Sequence, residues 1–236
     1  MASLVGYQPE DEASHPPNAY PDYVSTRKRA PVHPPIRIAH TLSEITGPRL
    51  VRGASVLESL DLTRGSGGEA LGERVIISGR VLDGNGRPIP NILLEIWQAN
   101  AAGRYAHEED RHDAPLDPHF SGAGCLLSDA QGRYRFVTIR PGAYPWANHY
   151  NAWRPSHIHF SVFGPGFASR LITQMYFPGD PLLALDPIFN SVSAPEARDR
   201  LIAAFDVETT IPERALGYRF DIVLRGRNAT PMETSR

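Results

Sequence analysis

Two histidines separated by one residue, His157-Ile158-His159, are the first feature of this chain that could do chemistry. On a β-strand, residues i and i+2 project from one face about 6.7 Å apart along the backbone, near enough for both imidazoles to converge on one ion. Ile158, Phe160 and Val162 then take the opposite, apolar face. Alone, such a pair is often just two satisfied polar side chains, so a metal needs further ligands. Cys125 is the single cysteine, which excludes an internal disulfide and a cysteine-built zinc site. Glu108, Glu109, Asp110 and Asp113 stand in a charged, proline-flanked loop and read as solvated surface. Two tyrosines stand differently. Tyr105 follows Gly103-Arg104 and Tyr144 follows Pro141-Gly142-Ala143, each on a loop after an expected strand, where a rigid scaffold displays functional groups. Pro145 restricts the backbone of Tyr144 to the extended region. Phenolate is a hard, charge-donating ligand, so two tyrosinates with two imidazoles favour ferric iron over ferrous iron or zinc. A free phenol has a pKa of about 10, and metal binding must remove its proton. Taken singly, either tyrosine reads as a core or rim aromatic with its hydroxyl tied off; taken with the histidines, both read as ligands.

The elements that must position these groups are short strands. Residues 75–82 and 92–97 are β-branched and apolar on either side of the turn Asp83-Gly84-Asn85-Gly86-Arg87-Pro88, and read as strand, turn, strand. A second hairpin is expected from residues 125–128, the turn Asp129-Ala130-Gln131-Gly132 and residues 133–139, whose side chains alternate. Further strands are expected at 157–163, 171–177 and 218–224, and one helix over 194–205 with Leu201, Ile202 and Phe205 on one face. This spacing predicts a mainly β fold, an antiparallel β-sandwich with an extended N-terminal arm, long loops and one or two short helices. There is no internal repeat. In the arm, His15-Pro16-Pro17 and His33-Pro34-Pro35 resist both helix and central strand. Thr41-Leu42-Ser43-Glu44 begins like a capping box but meets Gly47-Pro48 soon after, so any helix there is a turn or two. Gly65-Ser66-Gly67-Gly68 reads as a plain linker, because a phosphate loop would need a trailing Lys-Ser/Thr. Residues 1–73 are expected to be a proline-rich, partner-contacting arm and linker, and residues 74–236 the catalytic sandwich.

The chain of 236 residues carries 24 basic and 26 acidic groups, for a net charge of -2. A chain of this length hides roughly 70% of its unfolded surface on folding, so no structural metal is needed and any metal serves function. The charge balance excludes a general polyanion binder, and no nucleic-acid partner is expected. No run of about 18 apolar residues offers a membrane span, and residues 1–17 lack the basic start and apolar stretch of a secretory signal. The expectation is a soluble, cytoplasmic protein. Asn228-Ala229-Thr230 matches a glycosylation pattern, but with Pro231 following it is treated as chance.

At these residues the sequence resembles the intradiol ring-cleavage dioxygenases, and within them the branch that cleaves protocatechuate (3,4-dihydroxybenzoate). The resemblance is carried by Pro141-Gly142-Ala143-Tyr144-Pro145-Trp146, by Trp153-Arg154-Pro155-Ser156-His157-Ile158-His159-Phe160, and by residues 97–105, 171–181 and 218–226, in family order and spacing. It implies that Tyr105, Tyr144, His157 and His159 ligate non-haem Fe(III), with a solvent hydroxide in the fifth position and Tyr144 and His159 as the axial pair. It implies that the catecholate chelates the iron, displacing the hydroxide and Tyr144, and that O2 then opens the ring to 3-carboxy-cis,cis-muconate in aromatic catabolism. Arg154 and Gln174 resemble the family's residues that face the charge developing on the substrate. Trp146 and Ile188 resemble pocket walls, and Tyr23 and Trp97 resemble residues near the substrate carboxylate. The resemblance further implies a homologous α subunit, paired in an αβ protomer of a larger oligomer, with this chain as the iron-carrying partner. Other readings of the same residues are an intradiol enzyme for a different catechol, or a non-catalytic, transthyretin-like binding sandwich.

Overall fold

The computed structural model describes residues 11–34, 36, 60–65, 67–146, 152–163 and 170–233. Its strands in chain order are β1 (Leu60–Asp61), β2 (Arg64–Gly65), β3 (Gly68–Glu69), β4 (Arg74–Leu82), β5 (Leu93–Trp97), β6 (Ala123–Leu127) and β7 (Arg133–Ile139). They continue with β8 (Tyr144–Trp146), β9 (Ala152–Arg154), β10 (His157–Phe163), β11 (Arg170–Tyr176), β12 (Ala204–Phe205), β13 (Leu216–Arg219) and β14 (Ile222–Val223). One sheet runs β1-β7-β4-β13-β12, with β14 also on β4; the other runs β11-β10-β5-β6. The long pairings, β4 with β7 and β10 with β11, are antiparallel, whereas β1, β13 and β14 join the first sheet in parallel. Between the sheets lies the core: Val75, Ile77, Val81, Tyr134 and Phe136 from one side meet Leu94, Ile96, Ile158, Phe160 and Met175 from the other. The mainly β sandwich read from the sequence is therefore the observed architecture.

The two expected hairpins are corrected. Each turn forms: the amide of Asp83 donates to the Arg87 carbonyl and that of Asp129 to the Arg133 carbonyl, both at 2.8 Å. Past the turn, however, the chain crosses to the other sheet, so that β4 pairs with β7 and β5 lies between β6 and β10. The aspartate side chains close these turns locally, Asp83 accepting from Asn85 and Arg87 and Asp129 from Gln131 and Arg133, which leaves the choice of strand partner open. Burial makes that choice. Leu93, Leu94 and Ile96 are all buried, so β5 has apolar cover on both faces and takes a central place.

The helix expected over 194–205 is also shorter, ending after Pro195–Asp199. The amide of Tyr176 takes the Leu201 carbonyl at 2.8 Å and that of Ala203 takes the Tyr176 carbonyl at 2.9 Å, drawing the chain into an extended run beside β11. Leu201 packs with Tyr176, Phe189, Val192 and Ala197, while Phe205 is exposed on β12 rather than sharing a helical face. The run expected over 218–224 breaks at Phe220, whose carbonyl accepts the buried Tyr134 hydroxyl instead of a ladder bond. The described part of the arm, residues 11–34, holds a 3-10 turn, Glu12–Ser14, and the helical turn Thr26–Arg29, joined by turns and irregular chain. The linker at 65–68 is a hairpin tip in which Gly65 pairs with Gly68. Thr41 to Glu44, Ser66 and Asn148 to Asn151 lie outside the described residues. No helix among the described residues is long and apolar enough to cross a membrane.

Candidate metal centre

Register builds the site. On β10, His159 lies opposite Gln174 of β11 and Trp97 of β5, and His157 lies opposite Tyr176. All five therefore share one face of the four-stranded sheet, turned away from the sandwich core that holds Ile158 and Phe160. Above that face sits the ribbon of β8 and β9, in which Tyr144 pairs directly with Arg154.

The loops that carry the two tyrosines are locked backbone to backbone. Asn100 organises the first: its Oδ1 accepts from the amides of Ala102 and Arg104 at 2.9 Å each, and its carbonyl accepts from Gly103 and, across the gap, from Gly142. A Cβ on Gly142 would meet the Ala101 carbonyl at 2.4 Å, so only glycine lets the second loop cross there. The amide of Tyr105 donates to Asp110 Oδ2 at 2.7 Å. Asp110, read from sequence as solvated surface, is thus the residue that holds Tyr105 in place; Glu108, Glu109 and Asp113 are exposed as expected. Ser156 ties the approach to β10 to the tyrosine loop, its hydroxyl donating to the Pro141 carbonyl at 2.7 Å.

Four side chains meet as a result. Nε2 of His157 and Nε2 of His159 are 3.2 Å apart, and the Tyr144 hydroxyl is 3.3 Å from the former. The Tyr105 ring stands edge-on to Tyr144 with centroids 5.5 Å apart, and 6.4 Å from His159. Behind the histidines, Nδ1 of His157 donates to the Pro155 carbonyl at 2.7 Å and Nδ1 of His159 faces Glu233 at 3.1 Å. With each Nδ1 carrying the proton, both Nε2 atoms present bare lone pairs to the same point, the arrangement in which backing partners orient metal-ligating imidazoles. The Tyr105 hydroxyl is buried there with no hydrogen-bond partner. Two facing lone pairs and an orphaned phenol are costly in a protein interior unless a cation joins them, so the donor set fits a metal. Among the described residues no group of three or more His, Cys, Asp or Glu side chains is placed to share an ion, so a candidate donor set here is one that includes the tyrosines.

The electrostatics agree. Burial, then the charges of Arg154 and His159, hold His157 well below its ordinary range, so it is neutral and able to coordinate. Loss of hydration, then Tyr144, holds Tyr105 well above the phenol range; Tyr144 is also raised by loss of hydration, although Arg154 opposes it. Without a cation both phenols stay protonated at neutral pH. Burial would raise Glu233, but His159, Arg154 and the hydrogen bonds from His159 and Gln174 together outweigh it, and the carboxylate is held below its usual range.

The remaining predicted residues surround this centre. Trp97 stacks on His159, with centroids 4.7 Å apart and planes 7° apart. The Arg154 guanidinium lies 5.5 Å from the Trp146 ring, and Trp146 meets Tyr23 of the arm at 5.1 Å. Tyr23 touches the site only through Trp146 in this way, with Arg29 on its far face at 4.5 Å. Gln174 takes a short hydrogen bond from Arg154 on its amide oxygen and a second from the Tyr176 hydroxyl at 2.9 Å. Ile188 is buried in the helical turn Pro187–Ser191. Sequence reasoning missed three residues that support the cluster: Asp186, Tyr176 and Glu233. Tyr176 is in register with His157, a signal present in the strand alternation; Asp186 and Glu233 lie in irregular chain with no periodic signal.

Residues 45–226 match the dioxygenase family, and residues 7–41 match the N-terminal region of the protocatechuate 3,4-dioxygenase β subunit. The chain is 60% identical over 238 residues to the protocatechuate 3,4-dioxygenase β chain of Burkholderia cepacia, covering 99% of this chain and all of that one. It is also 30% identical over 200 residues to the α chain from the same organism, covering 82% and 96% of the two. In fold it is similar to hydroxyquinol 1,2-dioxygenase of Pseudomonas putida DLL-E4, with a TM-score of 0.56 at 24% identity over 78% of this chain and 65% of that one.

Proposed function

This chain belongs to the intradiol dioxygenase family, which generally uses non-haem iron, and from that premise we propose that it is the iron-carrying β chain of a protocatechuate 3,4-dioxygenase. Tyr105, Tyr144, His157 and His159 would hold Fe(III). The single observation that carries this reading is the convergence of two bare Nε2 atoms and two phenol hydroxyls on one point. When bound, ferric iron would supply Lewis acidity that draws charge from a chelated catecholate, so that O2 attacks the ring.

The chain's own residues do the rest. Tyr144 is half-buried at the rim of the cluster and is the phenol whose oxygen can take a proton from an arriving catechol hydroxyl. Burial works against the charge on Arg154, but Asp186, Tyr176 and Tyr144 together outweigh it and keep the guanidinium cationic, so a fixed positive charge faces any anion formed above the histidines. The buried amide nitrogen of Gln174, beside Glu233, is a second donor on the same face for that anion. Trp97, Trp146 and Ile188 supply an apolar wall that excludes water from it, and Tyr23 closes the wall from the arm.

The same reading assigns residues 74–236 to catalysis, with β1 of the preceding linker joining their first sheet, and the rest of residues 1–73 to an arm that contacts a homologous α chain in the cytoplasm. Supporting a partner beside the site, Trp153 of β9 is 49% exposed and Leu185 is exposed close by. Metal analysis with a visible spectrum, before and after anaerobic addition of protocatechuate, tests the assignment. Expected are one iron per chain, broad tyrosinate-to-iron absorption, and a shift on substrate addition. A colourless, iron-free protein after reconstitution in air would leave a binding sandwich instead. Comparing turnover of protocatechuate, catechol and hydroxyquinol with and without the α chain separates the substrate readings.

A further inference from the structure

Arg154 is buried, and so is its partner. The Asp186 carboxylate is 0% exposed and collects five donors. Its Oδ1 accepts from Arg154 Nε at 3.0 Å and from the Ile188 amide at 3.4 Å. Its Oδ2 faces Arg154 Nη2 at 3.2 Å, the Tyr176 hydroxyl at 3.1 Å and the Phe189 amide at 3.4 Å. A guanidinium gripped at both Nε and Nη2, along one edge of its fork, has one orientation. That orientation leaves Nη2 to reach Gln174 Oε1, which the Tyr176 hydroxyl also reaches at 2.9 Å. With the guanidinium on its oxygen, the Gln174 amide cannot flip without turning its NH2 against that cation, so its buried nitrogen is left on the side of Glu233 and His159. We propose that Asp186 is a positioning residue for ring cleavage: it aims Arg154 and, through Arg154 and Tyr176, the amide of Gln174 at the reacting substrate, while capping the turn that carries the pocket residue Ile188.

This inference rests on the reading of Arg154 as the group facing developing charge, and the experiment separates the two. Asp186→Asn keeps the volume but places an NH2 against the arginine fork or against the Tyr176 hydroxyl. Asp186→Leu removes the carboxylate and is made only together with Arg154→Met, so that no buried charge is left unpaired. Iron content, visible spectrum with anaerobic protocatechuate, kcat and KM are measured for Asp186→Asn, Arg154→Met and the double variant Arg154→Met/Asp186→Leu. Expected are iron content like wild type for all three and a KM for Asp186→Asn within about threefold of wild type. A kcat loss for Asp186→Asn within about tenfold of that for Arg154→Met, itself about 100- to 1,000-fold, is expected. The double variant should be no slower than Arg154→Met alone, because residues acting as a unit are not additive. Wild-type kcat in Asp186→Asn, or losses that multiply in the double variant, would overturn the positioning role while leaving the Arg154 reading intact. Wild-type kcat in Arg154→Met would overturn both.

Discussion

At the scale of single residues, the four converging donors have unequal duties. On the proposed reading, the buried Tyr105 hydroxyl and His157, oriented by the Pro155 carbonyl, are the donors most committed to the metal. Tyr105→Phe or His157→Ala should therefore lower iron affinity by more than about 100-fold, read by metal analysis after dialysis against a chelator. Tyr144 has a polar partner of its own, with its hydroxyl 3.3 Å from His157 Nε2. Tyr144→Phe should retain iron better yet lose about 10²- to 10⁴-fold in kcat, the worth of a positioned proton acceptor; unchanged turnover would remove it from that role. These donors were legible in the sequence because phenols and imidazoles are rare partners for one another and their positions at strand ends are readable from alternation. Asp110 was not, since an acidic loop looks solvated until one of its carboxylates is found on the Tyr105 amide. Asp186 was hidden for a similar reason: nothing in the segment Leu185-Asp186-Pro187 distinguishes a helix cap from an arginine clamp, and it is both.

At the scale of elements, what the sequence left open was partnership. Turn chemistry and β-branched runs placed the six longer strands β4, β5, β6, β7, β10 and β11 to within two residues, but local hydrogen bonds around Asp83 and Asp129 are equally satisfied whether the next strand returns to the same sheet or leaves it. Two consequences follow for elements that the site depends on. The crossing of the tyrosine loops has no room for a side chain, so Gly142→Ala should force Ala101 and Gly103 away and separate Tyr105 from Tyr144. Loss of bound iron accompanied by a weaker visible band would show it, and an alanine variant with normal colour would mean that the loops can part without cost to the centre. The other concerns Tyr134, whose buried hydroxyl ends the ladder at Phe220. Tyr134→Phe leaves that carbonyl unpaired and should destabilise the fold by about 1–3 kcal/mol in denaturant unfolding. Burial, then Asp221, holds the Tyr134 phenol well above its ordinary range, which favours the protonated form in the folded state. Its contribution is thus complete below pH ~10 and declines as pH rises past the unfolded phenol value, steepening alkaline unfolding in the wild type but not in Tyr134→Phe.

At the scale of the whole molecule, the described C-terminal run reaches the centre and the arm packs against that run. The C-terminal run is stitched to β11, Pro231 accepting from the Thr173 hydroxyl at 2.6 Å and Glu233 donating its amide to Ile172 at 2.8 Å, so that its carboxylate arrives behind His159. The arm grips the same run from the other side. Arg200 spans the two, with Nε on the Ala229 carbonyl at 3.1 Å and Nη2 on the Ser14 hydroxyl at 3.0 Å, and the Met232 amide reaches His15 at 3.3 Å. A carboxylate 74 residues from the histidine it backs is invisible to any local pattern and appears only once the sheet is assembled. If Glu233 fixes the His159 tautomer, Glu233→Ala should release iron to a chelator about 10- to 100-fold faster than wild type. Glu233→Gln, which can still accept from Nδ1, should fall between the two. Arg200→Ala, which frees the arm from the tail without touching the histidine, should move the rate in the same direction by less. Release at the wild-type rate from Glu233→Ala would reduce the tail to packing and leave the Pro155 carbonyl behind His157 as the one backing contact that matters to the metal.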